Sequence, residues 1–200
     1  MGKFYMLGWI IHPTMEKGPN STIVIAFMAV LGVLCLVIQL APRPPNVEFT
    51  SLFTFLTGFV FGPIVGGLFG AFVMFVNGFL SPWGFAGLNM PFQMAGMALT
   101  GLAGGIYRKF ARETFRMEFC LEAAILGAFL AVLYDLITNF GYAVFQTLSG
   151  VPFGKAFLIA LAYGTPFSII HVISNTAVFG FAFFPMVKAA NKMLVVNEIG

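Results

Sequence analysis

The sequence predicts an all-α membrane protein, a six-transmembrane-helix bundle with its N-terminus and C-terminus in the cytoplasm. The 200 residues are 60% hydrophobic and 8% charged, whereas a soluble domain carries about 25% charged residues. Apolar runs of about 20 residues, the length that crosses a bilayer as a helix, recur along the chain. The third observation is the placement of positive charge, which is strongly asymmetric about the predicted spans.

Prolines and glycines divide the apolar runs into spans. Ser21 caps the first span and "PRPP" stops it, the Gly62–Pro63 pair separates the second from the third, and Pro91 lies in the first turn of the fourth. Pro166 is an expected kink in the sixth. The predicted spans cover residues 21–41, 50–62, 63–80, 89–107, 120–147 and 156–187. The predicted organisation is an N-terminal interfacial segment at 1–20, a transmembrane domain at 21–190 and a cytoplasmic tail at 191–200.

Positive charge orients the predicted bundle. With the N-terminus inside, the outer loops hold only Arg43 and Lys155. The inner segments hold eight basic residues, namely Lys3, Lys17, Arg108, Lys109, Arg112, Arg116, Lys188 and Lys192. This bias follows the positive-inside rule and predicts a multi-pass protein of a prokaryotic-type cell (plasma) membrane, surrounded by the lipid bilayer. The net charge of +3 is an orientation signal, so no nucleic-acid partner is expected.

Glycines recur every four residues from span 2 into span 3, at Gly58, Gly62, Gly66 and Gly70. Lipid gives helices no hydrophobic drive toward each other, so close backbone contact between small residues supplies it. The series is interpreted either as packing within the bundle or as a face that slides against a partner protein.

Polar residues inside apolar spans are costly in a bilayer and are therefore informative. On span 5 they follow one helical stripe at i, i+4, i+7 and i+11, and spans 4 and 6 carry similar stripes. We expect an outward-facing polar and aromatic cavity for a small organic molecule. The candidate substrate-binding residues are Glu48, Asn77, Trp83, Asn89, Gln93, Asp135, Asn139, Tyr142, Gln146, His171 and Asn175.

The residues also allow structural roles. Each amide or hydroxyl can instead form an interhelical hydrogen bond, and Asp135 can form a core ion pair with His171. Two other functions stay open as well: an intramembrane enzyme that uses Asp135 and His171, and a solitary carrier. The sequence has no phosphate loop for ATP hydrolysis, no HExxH and no GxSxG motif. No catalytic residues, metal or cofactor are therefore expected.

Four segments carry a family resemblance: "TGFVFGPIVGGLFGAFVMFVNGF", "SPWGF", "MPFQMAGMALTGLAGG" and "YDLITNFG". With six spans in about 200 residues, the chain resembles the substrate-binding S-component of energy-coupling factor (ECF) vitamin transporters over most of residues 21–187. The resemblance implies a non-catalytic subunit that captures a vitamin or related micronutrient from outside. It also implies a transmembrane coupling subunit and two ATPase subunits as partners.

The resemblance further suggests a coupling surface and a cargo. The family's Ala-xxx-Ala pattern on span 1 corresponds here to Thr22, Ala26, Ala29 and Gly32, and the series Gly62, Gly66 and Gly70 is expected to support the same surface. The "MPFQ" and "YDLITN" segments resemble subunits that carry cobalamin or another corrinoid. A flavin, a lipoate-like acid and a modified purine stay open as cargo.

Overall fold

The computed structural model describes residues 21–42, 44–81, 84–111 and 117–196, and these form helices and connecting loops without a β-strand. The predicted interfacial segment, residues 1–20, lies outside the described residues. A single 3₁₀ turn, Gly87–Asn89, precedes α4. The α-helices are α1 Ser21–Leu40, α2 Thr50–Phe61, α3 Pro63–Leu80, α4 Met90–Tyr107, α5 Met117–Leu148 and α6 Phe153–Val196.

The all-α class is confirmed, and within the described residues three helices meet the length and hydropathy expected of a membrane span. They are Pro63–Leu80, Phe119–Leu148 and Phe153–Ala190, with shorter apolar helices at Val24–Leu40 and Thr50–Phe61. The 12 residues of α2 measure about 18 Å, less than the roughly 30 Å of a hydrocarbon core. The six-span count and the orientation of the termini stay predictions.

The short helix α2 occupies the centre of the bundle. All residues from Thr50 to Phe59 are buried, and α2 packs against each of the other five helices. Phe55 lies edge-on to Phe179 and Phe183 of α6, with ring centroids 5.4 Å and 5.2 Å apart. This edge-to-face geometry is favourable for aromatic pairs, and it fixes α6 against the middle of α2.

Glycines bring α2, α3 and α4 into backbone contact. A Cβ atom at Gly58 or Gly66 would overlap the Gly101 carbonyl, and a Cβ at Gly101 would overlap the Gly66 backbone. Gly62 joins α2 to α3 with φ of 99°, a conformation that L side chains rarely adopt. A Cβ at Gly70 would likewise overlap the Met97 carbonyl of α4. Gly66 and Gly70 thus form contacts within the bundle, which agrees with the packing interpretation of the glycine series.

The two ends of the group formed by α2, α3 and α4 make different contacts. At one end, Arg108 follows α4 and its Nη1 donates a hydrogen bond to the Val60 carbonyl at 2.8 Å. At the other end, the α1–α2 loop approaches α6, where Asn46 Nδ2 donates to the Phe167 carbonyl at 3.1 Å. The α3–α4 loop returns at this same end, where the Ala86 N–H donates to the Gly78 carbonyl.

Gly101→Ala tests the glycine contact. We expect it to destabilise the bundle by about 1–3 kcal/mol, because an added methyl group at a backbone contact forces the helices apart. Thermal unfolding in detergent would measure this as a lowered Tm. Gly154→Ala is the matched control, because a Cβ at Gly154 meets nothing within 4 Å. Equal Tm values for the two variants would contradict a close contact between α3 and α4.

Candidate functional site

A cavity of about 630 Å³ opens at the end of the bundle that is remote from Arg108. The α1–α2 loop, the C-terminal half of α3, the α3–α4 loop and the first half of α4 form most of its wall, and α5 and α6 complete it. Its lining residues are Gln39, Pro45, Asn46, Glu48, Met74, Asn77, Gly78, Ser81, Gly84, Phe85, Ala86, Gln93, Met97, Tyr134, Phe167 and His171.

Three titratable side chains are linked at the floor of this cavity. His171 Nδ1 lies 2.8 Å from Asp135 Oδ1, and His171 Nε2 lies 3.3 Å from Glu48 Oε1. Each contact holds one proton, either on the imidazole or on the carboxyl group. The Glu48–His171–Asp135 link therefore carries a net charge of −1 wherever along each contact the proton lies.

Hydrogen bonds from α2 and α6 hold the Glu48 side chain, which is only 7% exposed. Ser51 Oγ donates to Glu48 Oε1 at 2.5 Å, and the Ser51 backbone N–H donates to Oε2 at 3.1 Å. That N–H is one of the first-turn amides of α2 that lack an intrahelical partner. Asn175 Nδ2 approaches Oε1 at 3.3 Å. The carboxylate is thus fixed by the start of α2 and by one face of α6.

Several buried side-chain oxygens have no hydrogen-bond partner within the described part of the chain. Among the described residues these include Gln93 Oε1, which belongs to a lining residue, and the oxygens Asn89 Oδ1, Asp135 Oδ2 and Asn175 Oδ1. Buried carbonyl and carboxylate oxygens are normally paired. Each of these oxygens is enclosed by protein atoms, so none of them is directly accessible from the cavity.

A second, smaller cleft lies between α5 and α6. Its volume is about 360 Å³, and its lining is mainly aliphatic, with Asp135, Asn139, Thr165 and Ser168 among the lining residues. Asp135 thus contacts His171 of the larger cavity and also lines this cleft.

The structure brings together only part of the predicted substrate-binding set. Glu48, Asn77, Gln93 and His171 line the cavity, and Asp135 and Asn175 contact these residues by hydrogen bonds. Trp83 lies outside the described residues.

Four other predicted residues lie away from the cavity. Asn139 lines the α5–α6 cleft, and Tyr142 is 44% exposed. Asn89 is at the end of the 3₁₀ turn, beside Gly141. Gln146 is close to the end of α5, where its carbonyl accepts the N–H groups of the following turn.

The sequence did not predict several lining residues, of which Gln39, Asn46, Ser81 and Tyr134 are polar. Gln39 is a polar residue near the end of an apolar helix. A polar residue in an apolar span is the signal that identified Gln93, so the same signal could have identified Gln39. Its Nε2 donates to Thr50 Oγ1 at 2.7 Å. Tyr134 directly precedes the predicted Asp135, but it belongs to a different face of α5.

The comparison with protein families gives one match. The model of the ECF transporter, substrate-specific component, matches residues 24–181, which reach from α1 into α6 and include every described residue that lines the cavity. Comparison with curated proteins and with solved structures found no match. The family consists of substrate-binding subunits of transporters, so the intramembrane enzyme with Asp135 and His171 is set aside. The chain belongs to the family of substrate-specific components of ECF transporters.

Proposed function

We propose that this chain captures a vitamin or related micronutrient from outside the cell and binds it in the 630 Å³ cavity. The cavity is the observation that carries the proposal. It combines amide and carboxylate groups with aromatic and methionine side chains from several elements. This combination is typical of a site for an organic molecule with hydrogen-bonding groups on an apolar body.

The charge distribution supports an outward-facing cavity. Arg108 and Lys109 follow α4 at the pole opposite the cavity, and in the sequence Arg112 and Arg116 come next. Basic segments next to membrane helices favour the cytoplasmic side. We therefore place the cavity at the outer surface of a prokaryotic-type plasma membrane, in a multi-pass bundle with six spans and both termini inside.

The cavity volume bears on the cargo. About 630 Å³ falls within the range of roughly 300–1,000 Å³ for pockets that enclose drug-sized ligands. A flavin-sized or smaller vitamin fits whole. The corrinoid suggested by the sequence resemblance is larger, so the cavity would enclose only part of its amide-bearing rim. We therefore favour a smaller vitamin over cobalamin.

The sequence has no phosphate loop for ATP hydrolysis, and the family match is to the substrate-specific component of a transporter. We propose that a transmembrane coupling subunit and two ATPase subunits supply the energy for import. Helix α1 is the candidate contact surface. Thr22, Ala26 and Ala29 are exposed on it, as are larger side chains such as Ile25 and Val33. Gly32 lies closer to the bundle, where its missing Cβ faces Phe69.

Gln93→Ala tests the cavity as the binding site. Mass spectrometry of the gently purified protein would first identify the co-purified molecule. We expect Gln93→Ala to weaken its binding about tenfold, the loss of roughly 1.4 kcal/mol from one buried hydrogen bond. Isothermal titration calorimetry would measure the affinity.

Gln146→Ala is the matched control for that experiment. The same change is made at another predicted site residue, but Gln146 does not line the cavity, so we expect an unchanged affinity. A larger loss of affinity in Gln146→Ala than in Gln93→Ala would place the ligand elsewhere.

Ala29→Leu tests the coupling surface. A larger side chain at a close helix contact costs about 1–3 kcal/mol, so we expect about tenfold less coupling subunit and ATPase to co-purify. Ligand affinity should stay the same. Ala177→Leu, at an exposed position of α6, is the control. Equal capture by wild type and both variants would exclude this face of α1. Transport by the chain without any captured subunit would instead favour the solitary carrier.

A further inference from the structure

We infer that the ligand presents a cationic, hydrogen-bond-donating group to the floor of the cavity, between Glu48 and Gln93. The inference rests on the proposed function and specifies the chemistry of the cargo. Three independent features of the described residues support it: the net charge of the floor, the balance of donors and acceptors, and the aromatic side chains beside them.

The floor carries a negative charge that the described lining does not neutralise. The Glu48–His171–Asp135 link has a net charge of −1, and its three side chains are all at most 11% exposed. None of the described residues that line the cavity is Lys or Arg. An unpaired charge away from water is costly, and the attraction between opposite charges is stronger in such a site than in water. A cationic ligand group would supply the missing positive charge.

The Glu48–His171–Asp135 link keeps acceptor capacity but has no uncommitted donor in the described contacts. Both ring nitrogens of His171 are engaged with carboxylates, and the described contacts commit Gln39 Nε2 to Thr50. Glu48 Oε1 is approached by Ser51, His171 and Asn175, whereas the described contacts give Oε2 only the Ser51 N–H. A carboxylate oxygen has two lone pairs, so Oε2 can accept a further hydrogen bond.

Gln93 lines the cavity as well, and its Oε1 is buried without a partner among the described residues. A ligand with N–H donors would satisfy Glu48 Oε2, whereas a carboxylate or phosphate group would bring further acceptors and further negative charge. An anionic group is therefore excluded at the floor, and an amine, an amidine or an amino-substituted ring is favoured.

Aromatic side chains lie beside these acceptors. Tyr134 and Phe167 line the cavity, and the Tyr134 ring lies edge-on to the His171 ring with centroids 5.6 Å apart. Aromatic rings attract cations through their quadrupole and also stack on planar groups. A planar, positively charged nitrogen heterocycle would satisfy the charge, the acceptors and the rings together.

A panel of charged and neutral vitamins tests the inference on the full chain in lipid nanodiscs. Thiamine and pyridoxamine serve as cationic probes, riboflavin as the neutral probe, and biotin and pantothenate as anionic probes. We expect a cationic probe at millimolar concentration to raise the Tm, because a ligand that binds only the folded state stabilises it. The anionic probes should leave the Tm unchanged.

Two substitutions with opposite expected effects sharpen the test. Glu48→Gln keeps the size of the side chain but removes its charge, and it should weaken binding of the cationic probe by about 10–100-fold. Gln93→Glu adds a negative acceptor and should strengthen binding several-fold, a response that a steric disturbance would not give. Should Glu48→Gln fail to fold, Gln93→Glu alone still distinguishes the outcomes. If no probe in the panel binds, the same variants are titrated with the co-purified molecule.

Tight binding of an anionic or neutral ligand that neither variant alters would overturn the inference and leave the proposed function standing. A protein that binds no probe of any charge and yields no co-purified molecule would contradict the proposed function itself.

Discussion

The Glu48–His171–Asp135 link is the interaction on which the candidate site depends. It joins the loop before α2 to α5 and α6 through one imidazole ring, with contacts of 3.3 Å and 2.8 Å. Within a membrane, polar groups have to find partners inside the protein, because lipid offers none. Removing His171 would leave the carboxylates of Glu48 and Asp135 buried without their shared partner, at a cost of about 3–5 kcal/mol. The link therefore fixes the position of the cavity floor.

Backbone contacts between glycines position the opposite wall. Gly58, Gly66 and Gly101 allow α2, α3 and α4 to approach more closely than any larger residue permits. This approach brings Asn77 of α3 and Gln93 of α4 to the same cavity as Glu48. Aromatic packing of α2 against Phe179 and Phe183 stabilises the other half of the bundle. The glycine and aromatic contacts of α2 thus lie further along the helix than its polar contacts. The polar contacts, at the start of the helix, lie beside the cavity.

The helices themselves were largely predictable from the sequence. The composition indicated a membrane protein. The breaks at "PRPP" and Gly62–Pro63 gave the limits of the first three helices to within one residue. The last two helices were predicted too short, since α5 begins at Met117 and α6 ends at Val196. The sequence does not show where a continuous helix passes from lipid into water. Pro166 and Pro185 lie inside α6. Helices in membrane proteins tolerate proline because neighbouring groups can satisfy the backbone groups that it leaves unpaired.

The site was less predictable, because periodicity identifies the faces of a helix but not what each face contacts. The stripe on α5 that begins at Asp135 follows the α5–α6 cleft, where Asn139 lies. The residue one position earlier, Tyr134, faces the larger cavity. Helix rotation is set by contacts from other elements: a Cβ at Gly96 of α4 would come within 2.8 Å of the Tyr134 ring. Such a contact joins distant parts of the chain and leaves no periodic pattern.

The central claim, that the cavity opens to the outside and receives the ligand there, is tested most directly by cysteine labelling in intact cells. Cys35 and Cys120 are first replaced by Ala, and Asn77→Cys is introduced at the cavity wall, with Lys109→Cys as the control at the opposite pole. We predict that a membrane-impermeant maleimide labels the cysteine at position 77 in intact cells, that the co-purified ligand slows this labelling, and that position 109 reacts only after permeabilisation. Labelling of position 77 only in permeabilised cells would contradict the account.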